Sequence, residues 1–288
     1  MSTVINTNVK SLMASNELNK NGQVQRNVME SLSTGKRINR ASDDAAGLSI
    51  RETMTAQING LNAAVRNAND SIAMLQTADG ALTEVSNMMQ RMREMSVLAT
   101  NDTYSTTQKT ALDSEYQALA SEITRISDKT QWNNQNLLTG SGGLAAGTGL
   151  GVFTFQVGAN AGDTFTVTIS DMDKAHFSID TTSIITYAGA VSATGVLDLA
   201  LSALNVQRST IGAAVNRLTH AVDNLTNISQ NASESRSKVE DTDYAAATSE
   251  LARTQIIQQA ATAILAQANQ QPQSVCLCSS KHAYTFIN

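Results

Sequence analysis

Histidine and cysteine are the residues of this chain best suited to catalysis or metal binding, but their spacing supports neither. The three histidines are His176, His220 and His282; none lies in an H-E-x-x-H motif, and no two have the spacing of metal ligands. The only cysteines, Cys276 and Cys278, form a lone C-x-C pair, which is weak evidence for a metal. We therefore predict that the chain has no metal site.

Motifs for nucleotide binding and acyl transfer are also missing. The sequence contains no G-x-x-x-x-G-K-[ST] phosphate loop and no G-x-S-x-G nucleophile elbow. Gly149-Leu150-Gly151 indicates a loop and not a dinucleotide-binding fingerprint. We predict that the protein is not an enzyme and requires no cofactor.

The composition favours long helices that pack on one another. Aromatic residues make up only 4% of the chain, while hydrophobic residues reach 41%. Pro272 is the only proline, and because proline breaks helices, its scarcity permits very long ones. The net charge of −5 gives no reason to expect nucleic-acid binding. No run of about 18 apolar residues predicts a membrane span, and no cleaved signal peptide is visible, so composition alone suggests the cytoplasm.

The clearest pattern in the chain is a heptad-like spacing that predicts one helix over about 43–99. Its apolar residues alternate in steps of three and four, as in a coiled coil. Two successive steps of three, at Ile72, Leu75 and Ala78, predict a local stammer. The apolar positions are Ile58, Leu61, Val65, Ala68, Ile72, Leu75, Ala78, Leu82, Val85, Met89 and Met92, where the two methionines are expected to continue the packed face.

The remaining segments complete a mirrored layout. Further helices are predicted at 3–32, at about 105–128 and 196–235, and over a last stretch to about 270. Alternation at 153–157 and 165–169, around a turn at 158–163, predicts a β-hairpin. The predicted fold is mainly α: a long antiparallel coiled-coil rod built from the N- and C-terminal segments, with a small β-rich insert at its tip. In this layout the first helix meets the last.

Several long, ordered motifs resemble the bacterial flagellin family. The resemblance covers roughly residues 1–138 and 200–275, with an island near 155–161. The motifs are Val4-Ile5-Asn6-Thr7-Asn8, Leu32-Ser33-Thr34-Gly35-Lys36-Arg37-Ile38-Asn39, Asp43-Asp44-Ala45-Ala46-Gly47-Leu48, Gln76-Thr77-Ala78-Asp79-Gly80-Ala81-Leu82, Gln90-Arg91-Met92-Arg93-Glu94-Met95, Phe155-Gln156-Val157-Gly158-Ala159-Asn160-Ala161 and Ala266-Gln267-Ala268-Asn269-Gln270.

The resemblance implies a structural subunit that assembles with itself into the helical flagellar filament and serves motility. It also implies type III export without signal cleavage, a location outside the cell, and flagellar partners: an export chaperone, cap proteins and hook-associated proteins. No membrane insertion is expected. The nearest alternative is a hook-associated junction protein; a secreted host-directed effector is a further one. The implied domains are an inner terminal-helix domain (1–42 and 241–288), a core rod (43–140 and 201–240) and a variable outer insert (141–200).

The resemblance further implies a contact site for other subunits and for Toll-like receptor 5 of animal hosts. Arg91, Glu94 and Glu115 occupy matching positions, and Met95 stands where the family often has leucine. The whole predicted site comprises Gln90, Arg91, Arg93, Glu94, Met95 and Glu115.

The C-terminal tail departs from the family pattern. Residues Cys276–Asn288 look unlike the short leucine-rich ending usual in flagellins. We expect the last ten or so residues to be poorly helical or to pack differently from those of relatives.

Overall fold

The computed structural model describes residues 8–140 and 150–283, and the side chains of residues 8–140 and 151–270. The described elements are helices α1 (Val9–Thr34), α2 (Ala45–Ala99) and α3 (Thr106–Lys129), strands β1 (Gln131–Trp132), β2 (Gln135–Asn136), β3 (Leu150–Gln156) and β4 (Thr164–Ser170), and helices α4 (Tyr187–Glu240) and α5 (Tyr244–Ala283). The chain forms two compact units, which we call the end unit (Met1–Thr55 with Ser233–Asn288) and the central unit (Ala56–Ala232). The mainly helical fold with a small hairpin is confirmed.

The central unit is built on the antiparallel pairing of α2 with α4. Asn62 accepts a hydrogen bond from Ser229 at 3.1 Å, and Arg208 donates to Asp79 at 2.9 Å. As the residue number rises along α2, the partner's number falls along α4, which is the order that antiparallel helices require. The pairing brings residues far apart in sequence into one core.

The buried face of α2 follows a heptad more regularly than its apolar residues do. Ser71 is 2% exposed, whereas Ile72 is only partly buried, so the seam runs through the serine. The Ser71 hydroxyl donates to the Asn67 carbonyl at 2.6 Å, which satisfies it inside the core. The predicted stammer is therefore wrong, and Met89 and Met92 are confirmed as seam residues. From Leu61 onward, the seam consists of Leu61, Ala64, Ala68, Ser71, Leu75, Ala78, Leu82, Val85, Met89, Met92, Ser96 and Ala99.

The predicted hairpin is confirmed, and its inner face packs on the helices. β3 and β4 are antiparallel, with Phe153 opposite Val167. Both side chains and Ile169 lie in the core of the central unit. The turn also approaches α2, since a Cβ on Gly60 would lie 3.1 Å from the Ala159 Cβ. Part of the predicted insert, residues 141–149, lies outside the described residues.

A second, shorter hairpin follows α3 and was not predicted. β1 pairs with β2 through the turn at Asn133 and Asn134, whose φ angles are 47° and 65°. Asparagine tolerates this left-handed region, and two such residues form the tight turn that matches strand twist. The turn leads Leu137 and Leu138 into the core.

α4 begins earlier than predicted, at Tyr187 rather than about 196. Gly189 and Gly195 weaken helical preference there, but Ala190 and Ala193 are fully buried in the core. One window of α4 has a mean hydropathy of 1.4, enough by length and composition to cross a membrane, which the sequence analysis did not expect. One such helix is weak evidence for a membrane span, because a helix in the core of a protein can have the same length and hydropathy.

The end unit pairs α1 with α5, so the first helix does meet the last. Asn8 donates to the Ala268 carbonyl at 2.8 Å, and Asn21 donates to the Thr254 carbonyl at 2.8 Å. None of the described residues of α1 is buried; the apolar Leu18 and Val28 are only partly buried.

α5 extends as a helix to Ala283, so a poorly helical tail is contradicted as far as that residue, and the alternative, that the tail packs differently, stays a prediction. Between Pro272 and Ala283 the sequence has no glycine or proline, and nothing in the backbone chemistry ends the helix. Residues 284–288 lie outside the described residues, as do residues 3–7 of the predicted first helix.

Candidate subunit and receptor contact surface

Three of the predicted site residues form one ion-pair cluster on the surface of the central unit. The Arg91 guanidinium donates to Glu115 Oε1 from Nε at 3.2 Å and from Nη2 at 3.1 Å. Its Nη1 donates to Glu94 Oε2 at 2.7 Å. One cation therefore ties the last turns of α2 to α3 and is held in a fixed orientation by two carboxylates.

The position of Glu115 depends on how α3 starts and packs. Ser105 caps the helix in a capping box with Gln108, which satisfies free N–H groups at its start. Next to Glu115, Tyr116 is fully buried, and its hydroxyl shares a 2.7 Å hydrogen bond with Thr182. Burial raises the pKa of Tyr116, so the phenol stays protonated at neutral pH. Tyr116 anchors the helix, and Glu115 points outward.

Arg93 belongs to a different contact, on the α4 side of α2. Its Nε donates to Asp198 Oδ1 at 2.6 Å, and both side chains are about half exposed. Asp198 is a site residue that the sequence analysis missed, because the partners lie on separate helices and no local pattern joins them. Gln90, on the exposed face between these pairs, makes only a 3.4 Å contact to Ser86 Oγ.

Met95 does not share the surface with the other predicted site residues. Its side chain is 0% exposed and packs in the core of the central unit. It stabilises the helix under the surface and cannot offer its side chain to a partner. The apolar side chains that are exposed beside the cluster are Val97, at 49%, and Leu98, at 37%.

The surface is charged but its charges are paired. The hydrogen bonds that Arg91 donates to Glu94 and then to Glu115 raise the pKa of Arg91, and the bond that Arg93 donates to Asp198 raises the pKa of Arg93. Both arginines stay positive across the physiological range. Because these pairs are solvated, they contribute little to the stability of the fold. Their side chains are exposed and can contact another protein.

A second charged cluster lies in the end unit, where the links between helices meet. We call residues 35–37 and 240–242 the clasp. The Arg37 amide donates to the Glu240 carbonyl at 2.7 Å, and the Thr242 amide donates to the Gly35 carbonyl at 3.0 Å. Gly35 has a φ of 72°, a conformation that favours glycine and ends α1. The clasp is thus a short antiparallel bridge between segments from the two ends of the chain.

Among the described residues, no group of three His, Cys, Asp or Glu side chains could hold a metal ion. The ring of His176 packs edge-on against Phe177, with centroids 5.6 Å apart. His282, Cys276 and Cys278 lie beyond the described side chains.

The family models and the similar sequences agree on one family. Residues 5–142 match the bacterial flagellin N-terminal helical region, and residues 194–277 match the bacterial flagellin C-terminal helical region. A flagellin of Halalkalibacterium halodurans is 42% identical over 94% of this chain and 98% of its own length. A flagellin of Bacillus subtilis is 37% identical over the same shares. The crystal structure of Bacillus cereus flagellin is 30% identical, with a TM-score of 0.48, and covers 56% of this chain and 88% of that one.

Proposed function

The chain belongs to the bacterial flagellin family, and from this premise we propose that it is a filament subunit whose α1–α5 pair becomes stable only when neighbouring copies cover it. The filament is an extracellular structure that serves motility. The subunit needs no catalytic group for this role.

The observation that carries the proposal is the incomplete packing of the end unit. No described residue of α1 is buried. Its apolar residues Val9, Leu12 and Met13 are each more than half exposed. On α5, Ile256 is 67% exposed and Ile264 is 58% exposed. Val9, Leu12 and Met13 are spaced so that they lie on one face of α1, and a contiguous exposed apolar patch marks an interaction site.

Assembly gives these side chains a partner. Burying one large aliphatic side chain stabilises by about 1.5–3 kcal/mol. Most of the stability of a protein helix comes from tertiary packing of its apolar face, and the described part of α1 has no buried residue to supply it. A repeated head-to-tail contact that does not close generates a helical filament, so each added copy would cover the apolar residues of its neighbours.

Electron microscopy of the purified chain on filament seeds tests this proposal. Wild type should elongate the seeds into long tubes. Leu12→Gln should block elongation and leave the unfolding of the central unit unchanged. Lys20→Gln is the matched control, because it removes only an exposed pair with Glu17 on the same helix. A folded wild type that never elongates seeds would favour the hook-associated junction protein instead.

The contact surface on α2 and α3 supports a finer proposal, a ligand role toward Toll-like receptor 5. Gln90, Arg91, Glu94 and Glu115 present an oriented arginine with two carboxylates on a rigid helix pair. Arginine in such a fixed geometry is frequent among residues that dominate binding. Met95 contributes by holding α2 in place and not by contact.

The family also supports the flagellar partners and the domain division. We propose that an export chaperone and the cap and hook-associated proteins bind this chain. We also propose that residues 1–42 and 241–288 form the inner domain, that 43–140 and 201–240 form the core rod, and that 141–200 face outward.

A further inference from the structure

Two Asn-Gly pairs lie inside helices of this chain, one in each compact unit. Asn21-Gly22 is in α1, and Asn59-Gly60 is in α2. We propose that Asn21-Gly22 is a site of spontaneous deamidation in the unassembled subunit, and that the product weakens the pairing of α1 with α5. The second pair is an internal reference with the same chemistry in a different environment.

The reaction needs only the chain and water. The backbone nitrogen of Gly22 loses its proton and attacks the side-chain carbonyl carbon of Asn21. A C–N bond forms, the side-chain amide leaves as ammonia, and a cyclic succinimide remains. Water then opens the ring at either carbonyl, giving aspartate or isoaspartate. Glycine as the following residue favours this step because it lacks a Cβ that would restrict the approach.

A formed helix suppresses the attack, so the reaction rate reports how often each segment opens. In a helix the Gly22 N–H is bonded to the carbonyl four residues earlier, and the backbone is fixed away from ring closure. α1 has no buried residue among those described, and Asn21 itself is half-buried. Segments with few buried apolar contacts open at low free energy.

Asn59 sits in a better-packed segment. It lies between Ile58, which is 6% exposed, and Leu61, which is 4% exposed, both on the buried face of α2. Opening α2 at this point would expose the core residues on either side of Asn59, so its Asn-Gly pair is protected.

Asn21 also makes the contact that its deamidation would remove. Its Nδ2 donates to the Thr254 carbonyl at 2.8 Å, and Thr254 is 1% exposed. An aspartate carboxylate has no proton to donate and would place a negative oxygen against that carbonyl. Isoaspartate adds a methylene to the backbone and breaks the helical register. Both products therefore oppose the α1–α5 pair.

The biological consequence rests on the proposed function. Subunits that wait unassembled would accumulate the product, and subunits whose end unit is covered in a filament would not. Deamidation would accumulate in subunits that stay unassembled for a long time and would reduce their assembly.

Peptide mapping by mass spectrometry of the full-length monomer, held at mildly alkaline pH, tests the site. The product at Asn21 should form about tenfold faster or more than at Asn59, since local opening spans from near zero to the global stability. Gly22→Ala should abolish most of it. That variant is tolerated, because its Cβ would approach only the end of the Arg26 side chain, at 3.9 Å. Equal rates at the two sites, or an unchanged rate in Gly22→Ala, would overturn the proposal.

Asn21→Asp tests the consequence without waiting for the reaction. Hydrogen exchange in α1 should be faster in this variant than in wild type, and exchange in α2 should be unchanged. Unchanged exchange in α1 would overturn the claim that the product unpairs the helices. Failure of wild type to elongate seeds while Asn21 still deamidates would contradict the proposed function and leave this site standing.

Discussion

Lys36 and Glu240 form an ion pair in which the carboxylate is 8% exposed and the ammonium about half exposed, with Nζ and Oε1 2.5 Å apart. Arg51 and Arg236 approach the same carboxylate at 3.6 and 3.9 Å. Three cations thus share one buried anion at the clasp.

Glu240→Gln should loosen the clasp, because it removes the charge that these three cations share and leaves Arg51 only its pair with Glu52, while side-chain size is preserved. We expect the free energy of unfolding to fall by about 1–2 kcal/mol. This is less than breaking a fully buried ion pair would cost, because Lys36 is half exposed. Hydrogen exchange at the Arg37 and Thr242 amides, which cross the clasp, should accelerate.

Glu234→Gln is the matched control for the clasp. It lies on the same helix and removes an exposed pair with Lys238, whose side chains are 65% and 74% exposed. Its effect on the free energy of unfolding should be much smaller than that of Glu240→Gln, because the Glu234–Lys238 pair is solvated. Equal effects of the two variants would contradict a special role for Glu240.

Arg91→Ala should weaken signalling through Toll-like receptor 5 by purified monomer by roughly tenfold or more, as for an arginine that dominates an interface. The comparison is Arg125→Ala, which removes an arginine that is 60% exposed, against 47% for Arg91, and that pairs with Glu122 on α3. A dose–response assay with monomers of equal folding measures both. Unchanged signalling by Arg91→Ala would contradict the proposal that Arg91 contacts the receptor.

Met95→Ala should lower the free energy of unfolding by about 2–5 kcal/mol, because it leaves a cavity in the core of the central unit. Met95→Leu should cost less than about 1.5 kcal/mol, since volume is nearly conserved. Chemical denaturation measures both. Receptor signalling by Met95→Leu should match wild type; a large loss with intact folding would show that Met95 contacts the receptor after all.

Asp171 provides a pH-dependent prediction. Burial, and then the charge of Asp173, raise the pKa of Asp171 above its ordinary value. The fold therefore favours the protonated form, and this contribution is present in acid and is lost as pH rises through the folded-state pKa.

Asp171→Asn should accordingly raise the melting temperature relative to wild type at neutral pH, with the gain shrinking below pH of about 4. The amide oxygen can still accept from the Asp173 N–H, which donates to Oδ1 at 3.2 Å in the native chain. Asp223→Asn, exposed on α4, controls for the loss of one negative charge. If Asp171→Asn raised the melting temperature more in acid than at neutral pH, the pKa of Asp171 would not be raised in the folded protein.

Periodicity in the sequence was enough to predict α2 and the β3–β4 hairpin, because their buried faces repeat every few residues. It failed at Ser71, where a small polar residue occupies the seam and satisfies itself within its own helix. It also failed at the start of α4, where burial of Ala190 and Ala193 outweighs the low helical preference of nearby glycines.

The residues of the candidate site were predicted from the family resemblance. The contacts between them could not be predicted from the sequence. Arg93 and Asp198 pair across α2 and α4, and no local pattern encodes a contact between helices so distant in sequence. Met95 shows the opposite limit: motif matching placed it with its surface neighbours, while helical geometry turns its side chain into the core.

The clasp and the α1–α5 pair join residues that are more than two hundred positions apart, as the bond from Asn21 to Thr254 illustrates. Closing such long loops carries a large entropy cost before any contact forms, and contacts of this separation form slowly. During synthesis α1 is made before α5, so α1 has no pairing partner until α5 has left the ribosome. The order of synthesis therefore keeps the two helices of the end unit unpaired until α5 has been made.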